Sequence, residues 1–357
     1  MIFTVCNKNF NYDFNDDDNI IIHSSRKKYT VNYSNNNIEN IVNDIYVKDD
    51  FIFIDRNVYN LSPATFNQIS KILLFDANED AKCIKSVLKL VDAMYNEKMT
   101  KNNKLIVIGG GITQDVGGFA AGIYKRGINW VFIPTTILSM TDSCIGSKVS
   151  INRNSKNILG FFNAPDKIII STVFFNTLSN DDMMSGLAES LKLCLIGGIE
   201  SYDYFKTNYK SKNYINIIKI SSVIKKQLIE YDEFDENERK VLNYGHTIGH
   251  ALESASNFYI PHGIAVLIGM YIKNVLFYGE KYNEVNNMIL EMVHPKFFET
   301  GFNYDIFIKH LLSDKKNNGD NICFILLDEI GASIIAYKKL DDFYIPLLNI
   351  IEKLFLI

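Results

Sequence analysis

Through the first half of the chain, short β-branched runs alternate with stretches of helical period. Phe51–Asp55 (FIFID), Lys71–Ala77 (KILLFDA), Lys104–Gly111 (KLIVIGGG) and Asn129–Ile133 read as strands. Between them lie a helix-like stretch from about Lys82 to Lys98 and a Gly/Ala-rich helix after Gly111, and a loop opens at Pro134. Strands alternating with helices predict βαβ units and a mostly parallel sheet. From about Asn180 the apolar positions take helical spacing, in DDMMSGLAESLKLCLI, in Tyr214–Tyr231, in HTIGHALESA and in GIAVLIGMYIKNVLFYG. The pattern predicts an α/β domain over residues 1–175 and a mainly α-helical domain over 176–357, with the change near Thr172–Asn180. The Asn-rich stretch Tyr33–Asn40 reads as a surface loop.

Composition narrows the class. At 357 residues, with 47% hydrophobic and 22% charged, the chain can bury two ordinary cores. A net charge of −4 supplies no bulk basic field for nucleic acid, yet it allows a local basic pocket for a phosphorylated small molecule. The five cysteines, Cys6, Cys83, Cys144, Cys194 and Cys323, are odd in number and never spaced C-x-x-C. That argues against a disulfide framework and a thiolate zinc site, and for a reducing cytoplasm. The N-terminus lacks a basic start followed by a long apolar core, so no signal peptide is expected. Apolar runs such as Ile168–Ile170 and Ile322–Leu327 are too short to span a bilayer.

Three clusters carry chemistry. Gly109, Gly110 and Gly111 follow a strand directly, with Asp115, Gly117 and Gly118 next. Glycines let the backbone approach a phosphate, and the free N–H groups of the following helix favour an anion. The spacing is neither a Rossmann fingerprint nor a P-loop. A tight turn that binds nothing uses glycines in the same way, so the loop alone leaves both readings open. Beyond it, Arg126, Asp142, Lys148, Asn152, Lys156 and Asn157 offer either a polar pocket wall or a solvated loop.

The third cluster is histidine. Three of the six histidines fall within Asn243–Gly263. His246 and His250 share a helix face, and His262 follows Pro261. Glu189 lies on an earlier helix with Lys192 one turn on. Two imidazoles and a carboxylate are the usual set for a catalytic zinc with an open position. Thr247 after the first histidine excludes the H-E-x-x-H protease pattern.

At this point the residues resemble 3-dehydroquinate synthase and its sugar-phosphate cyclase relatives. The match runs from about Asp55 to Gly331, through GGGITQDVGG, YKRG, PTT, TDSCIGSK…KN, GLAESLK, R…LNYGHTIGHALE, HG…AV…GM and DKK…IG, in order. The resemblance implies an α/β N-terminal nucleotide-binding domain followed by a mainly α-helical C-terminal metal-binding domain, tightly bound NAD, and Zn2+ or Co2+. It implies a carbon–oxygen lyase that turns 3-deoxy-D-arabino-heptulosonate 7-phosphate into 3-dehydroquinate and phosphate. The steps implied are transient oxidation by NAD, phosphate elimination, re-reduction and aldol closure.

Carried over by position, it implies metal ligation by Glu189, His246 and His262. Asp55, Asn57, Glu79, Lys82, Gly110, Gly111, Asp115, Thr135, Thr136, Asp142, Lys156, Thr177 and Leu178 match the NAD site. Arg126, Lys148, Asn157, Lys192, Lys225, Arg239, Asn243, His250 and Lys316 match substrate or catalytic positions. A small sugar phosphate as the partner, no nucleic acid or membrane, and a cytoplasmic homodimer complete the expectation.

Several positions depart from the family pattern. Ser147 replaces a glycine before Lys148, the loop between Lys148 and Lys156 is one residue short, and Asn78 replaces a glycine. Asp181 stands where an arginine is usual, and Ile264 where a glutamate follows His-Gly. These keep related cyclases of the 2-deoxy-scyllo-inosose synthase or aminodehydroquinate synthase kind as alternatives. Arg239 favours a substrate with a carboxylate, which a guanidinium binds bidentately. A metal-dependent alcohol dehydrogenase of the glycerol dehydrogenase type would not need the whole basic set. A catalytically dead member would have lost ligands or lysines that are present here.

Overall fold

The computed structural model describes residues 2–5, 8–11, 19–314 and 317–355. The chain divides into two compact units, Asp13–Ser179 and Met1–Tyr12 with Asn180–Ile357. It opens with an antiparallel hairpin of β1 (Ile2–Val5) and β2 (Lys8–Asn11). A lone hairpin is marginal in water and needs a second layer. This one finds its layer on three helices of the Asn180–Ile357 unit, so residues 1–12 go with that unit rather than with the α/β domain where the sequence put them.

The α/β unit is built on a seven-stranded sheet. Its strands are β3 (Asn19–His23), β4 (Lys28–Ser34), β5 (Phe51–Asp55), β6 (Ile72–Phe75), β7 (Leu105–Gly109), β8 (Trp130–Pro134) and, after a small antiparallel pair β9 (Lys148–Ile151) and β10 (Leu159–Phe162), β11 (Lys167–Ser171). The order is β3-β4-β11-β8-β7-β5-β6, parallel throughout except for β3. Strands β5, β7 and β8 are buried at every position, which is why they read as unbroken apolar runs rather than as alternating ones. The helices are α1 (Ile38–Ile45), α2 (Arg56–Leu61), α3 (Ile84–Asn96) and α4 (Gly111–Ile123). The Asn-rich stretch read as a loop ends in a helix start: the Asn37 side chain accepts the Asn40 N–H at 2.9 Å and caps α1.

The helical unit contains α5 (Asn180–Gly197), α6 (Ile199–Lys210), α7 (Tyr214–Tyr231), α8 (His246–Ala255), α9 (His262–Tyr278), α10 (Asn283–Met292) and α11 (Tyr304–Leu312). A hairpin of β12 (Asn321–Glu329) and β13 (Ala332–Lys339) and a last helix, α12 (Tyr344–Phe355), complete it. Strand β1 of the opening hairpin packs on α5, α6 and α7. Among the described residues one stretch, His262–Met292, is long and apolar enough to cross a membrane by length and composition; its Gly263–Met270 segment is wholly buried in the unit.

Close helix packing in this unit depends on glycine. Gly245 precedes α8 at φ 82°, and a Cβ there would lie 2.7 Å from the Val266 carbonyl. A Cβ on Gly263 would run into the Ser185 carbonyl, which seats the start of α9 on α5.

Two consequences are measurable. Gly263→Ala should lower stability by roughly 3 kcal/mol, because backbone atoms rather than a mobile side chain block the methyl; an unchanged urea midpoint would contradict this packing. Ser147, the family's glycine position, has φ 61° and a buried hydroxyl without a hydrogen-bond partner. Ser147→Gly should therefore raise stability by about 1 kcal/mol net, read as a higher urea midpoint at constant m.

Candidate active site

In the helical unit, α8 brings His246 and His250 to one face, and the start of α9 returns His262 beside them. Ring centroids are 5.3 Å apart for His246–His250, 5.2 Å for His246–His262 and 5.6 Å for His250–His262. Glu189, on α5, is fully buried. Its Oε2 accepts a hydrogen bond from the buried Lys192 ammonium one turn on. Its Oε1 is buried with no hydrogen-bond partner, 3.6 Å from His246 Nε2 and 3.5 Å from His262 Nε2.

Four-coordinate zinc bonds of about 2.0–2.1 Å place neighbouring ligand atoms roughly 3.3 Å apart. Both distances from Glu189 Oε1 are close to that spacing, and a divalent cation would satisfy the orphaned carboxylate oxygen. His246, His250 and His262 also bring ligand nitrogens within 4.8 Å of one another.

Both close imidazoles are held by their other nitrogen. His246 Nδ1 lies 3.2 Å from the Tyr244 carbonyl, which fixes Nδ1 as donor and leaves the Nε2 lone pair facing Glu189. His262 Nδ1 lies 3.1 Å from Glu253 Oε2. Burial would lower the His262 pKa, but the Glu253 and Glu189 carboxylates outweigh it and raise it above the usual value. Sequence reasoning passed over Glu253. Its signal was spacing, since it stands one turn beyond His250 and two beyond His246 on the same helix face.

The other predicted substrate residues of this unit are placed as follows. Lys225 is buried within α7, and Arg239 is buried in a short 3-10 turn ahead of α8. The Asp232 carboxylate builds that turn by accepting the backbone N–H groups of Glu236, Asn237 and Arg239 at 3.0, 2.8 and 3.0 Å. Burial alone would raise Asp232; these donors hold it below its ordinary value. The Arg239 guanidinium donates to the Glu233 carbonyl. Asn243 donates to the Lys240 carbonyl at 3.0 Å. Lys316 lies outside the described residues.

In the α/β unit, most of the predicted cofactor residues gather at the carboxyl ends of the parallel strands. Asp55 ends β5 and caps α2 by accepting the Asn57 N–H at 2.8 Å, and its burial raises its pKa. Gly110 and Gly111 join β7 to α4, which has no capping side chain, so its first N–H groups are open to an anion. Thr135 and Thr136 follow β8, and Thr177 and Leu178 follow β11. Asp142 sits in a π-helical turn, Ser139–Ser143. Between β5 and β7 the direction of strand addition reverses, the point at which open α/β sheets bind ligands.

Lys82 and Asp115 tie this edge together. Lys82 Nζ is 2.5 Å from Asp115 Oδ2 and 2.6 Å from Asn157 Oδ1. Asp115 Oδ1 accepts the Ser150 N–H at 2.9 Å, and Asn152 donates to Glu79 at 2.6 Å. Burial raises the Asp115 pKa against the pull of Lys82. Lys148 begins β9, and Lys148 and Lys156 are both exposed. Arg126 is not brought to this edge: it follows the end of α4 and precedes β8, at the amino ends of the strands.

The comparisons with known proteins agree along the chain. A family model described as 3-dehydroquinate synthase N-terminal matches residues 72–185, and one described as 3-dehydroquinate synthase C-terminal matches 186–317. The chain is 34% identical over 311 residues to the 3-dehydroquinate synthase of Thermoanaerobacter sp. (strain X514), covering 81% of this chain and 87% of that protein. It is 32% identical over 342 residues to that of Pelagibacter ubique (strain HTCC1062), covering 88% and 93%. Its fold is similar to that of 2-deoxy-scyllo-inosose synthase solved with carbaglucose-6-phosphate, NAD+ and Co2+, with a TM-score of 0.76 at 20% identity over 94% of this chain and 99% of that one. Both halves are matched in sequence order and the relatives align along most of their own length, so the chain belongs to the 3-dehydroquinate synthase family.

Proposed function

We propose that the protein converts 3-deoxy-D-arabino-heptulosonate 7-phosphate to 3-dehydroquinate and inorganic phosphate, using NAD and a divalent ion, Zn2+ or Co2+. The observation that carries the metal part is the orphaned Glu189 oxygen facing two imidazole nitrogens. When bound, NAD supplies the hydride acceptor and donor, and the ion supplies a Lewis acid. In this reading Glu189, His246 and His262 hold the ion. Gly110, Gly111 and the open start of α4 take the pyrophosphate of NAD, and Asp55 and Asn57 its adenosine end. Glu79, Lys82, Asp115, Thr135, Thr136, Asp142, Lys156, Thr177 and Leu178 line the remainder.

Lys148, Lys192, Lys225 and Lys316 offer cationic charge to the phosphate and to the charge that develops as it leaves. Arg239 takes the substrate carboxylate, with Asn157 and Asn243 on hydroxyls. His250, exposed beside the ligand pair, moves protons in ring opening and closure. Arg126 faces the opposite edge of its own sheet and enters the reading only as a substrate contact offered by a homodimer. A cytoplasmic enzyme with a small sugar phosphate as its partner is part of the same proposal.

The alternatives weigh less. Relatives that match most of the chain carry the name 3-dehydroquinate synthase, while the 2-deoxy-scyllo-inosose synthase likeness speaks for the fold. An alcohol dehydrogenase would have no use for buried Lys192, Lys225 and Arg239 together.

The test is phosphate release by the purified protein with NAD and Zn2+ or Co2+, with glucose 6-phosphate as the control substrate. Release from the heptulosonate phosphate without net NADH build-up supports the proposal. Release from glucose 6-phosphate alone overturns the substrate. Arg239→Lys keeps the charge and loses the planar fork. It should lower kcat/KM for the heptulosonate phosphate by roughly two orders of magnitude with NAD affinity unchanged. Equal loss of both would remove Arg239 from the substrate's carboxylate.

A further inference from the structure

The geometry points to Glu253 as a positioning residue for the metal site: its carboxylate fixes the tautomer and ring orientation of His262 and thereby sets how tightly the ion is held. The inference rests on the proposed ligand set of Glu189, His246 and His262.

Glu253 is nine-tenths buried at the last turn of α8, and an acid at that depth requires a partner. Its Oε2 is 3.1 Å from His262 Nδ1. An ionised carboxylate can only accept, so this contact makes Nδ1 the protonated nitrogen. Nε2 is then the bare nitrogen, and Nε2 is the atom 3.5 Å from the orphaned Glu189 Oε1. Without Glu253 the ring could protonate on either nitrogen and turn about its Cβ–Cγ bond. His246 has no such freedom, because a main-chain carbonyl holds its Nδ1.

The two ligands are thus held by unequal means, one by backbone that no substitution removes and one by a single side chain. Glu253 closes the same family-like run as the two α8 histidines, HTIGHALE, and the departure next to His262 leaves it as the carboxylate on Nδ1. Ile264 occupies the position next to His262–Gly263 where the family usually has a glutamate, and it is buried and apolar. Glu253, from the neighbouring helix, supplies a carboxylate hydrogen-bonded to His262. A carboxylate partner also makes an imidazole more basic and hence a stronger ligand, and loss of such a partner typically weakens metal affinity 10–100-fold.

The experiment measures Zn2+ affinity by chelator competition, and the Co2+ absorption spectrum, for the full-length wild type, E253Q and E253A. Urea midpoints of the metal-free proteins are read in parallel. In E253A, Zn2+ affinity should fall by about 10–100-fold. The Co2+ bands should change in shape and intensity, since one ligand is no longer fixed. E253Q is nearly isosteric and its amide oxygen still accepts from Nδ1, so it should keep the metal-free urea midpoint and lie between the other two in affinity.

Zn2+ affinity within twofold of wild type in both variants, with an unchanged Co2+ spectrum, overturns the inference. A fall in the metal-free midpoint with unchanged affinity and spectrum also overturns it, by making Glu253 a purely structural acid. Wild-type protein that binds neither ion overturns the ligand set itself, a failure distinct from either of these.

Discussion

A carboxylate withdrawn completely from water is the constraint on which the helical unit depends. Glu189 has no exposed surface, and an ionised carboxylate at that depth costs several kcal/mol unless it is compensated. Lys192 compensates one oxygen. The other is left to whatever lies between it and two imidazole nitrogens. The packing follows from the need to bring those nitrogens within reach of α5. Gly245, with its left-handed backbone, turns the chain into α8 at His246, and Gly263 lets α9 start against the α5 backbone. The motif glycines are therefore part of the site although they touch no reactant: they set the distances at which three side chains on three helices can share one ion.

The α/β unit solves a different problem with different means. Its charges gather at the carboxyl edge of a parallel sheet, Asp55 and Lys82 among them buried, and the order there comes from cross-bracing. Lys82 bridges Asp115, at the start of α4, and Asn157, in the loop after β9. Asp115 in turn holds Ser150. The loop that is one residue shorter than the family pattern is thus pinned from two directions. Residues assigned to cofactor and to substrate become mechanically linked within this unit, through one ammonium.

Much of this was legible in the sequence, and the reasons why the rest was not are physical. The buried parallel strands announce themselves as apolar runs, and Phe51–Asp55 is a strand to the residue. His246, His250 and His262 are visible as a cluster because spacing by four puts two of them on one helix face. Glu189 has no local signal for its role, since the partners that define it lie about sixty and seventy residues away; only the family resemblance places it. Glu253 is hidden for the opposite reason. Its spacing puts it on the histidine face, yet an acid near the end of a helix also reads as solvated, and spacing alone does not show that it meets His262. Of the hairpin β12–β13 only the first strand stands out in the sequence, as the apolar run Ile322–Leu327; the second mixes apolar with polar positions and keeps Ile334, Ile335 and Tyr337 exposed. The opening strands β1 and β2 are assigned to the wrong domain by position along the chain, which says nothing of where a hairpin finds its second layer.

The departures from the family pattern bear on the substrate, and their placement decides how much weight they carry. Asp181 and Ile264 look like two independent changes in sequence, yet both line one cavity of about 840 Å³ in the helical unit. Asp181 is paired with Lys296. The reversed charge at Asp181 is compensated by the Lys296 ammonium, while Ile264 lines the same cavity as Asp181 with an apolar side chain. Ser147 keeps the left-handed backbone that a glycine would adopt, so it alters local strain and leaves the path of the chain into Lys148 unchanged. The Glu189 carboxylate beside its two imidazoles, and the buried Lys192, Lys225 and Arg239, are retained alongside these departures.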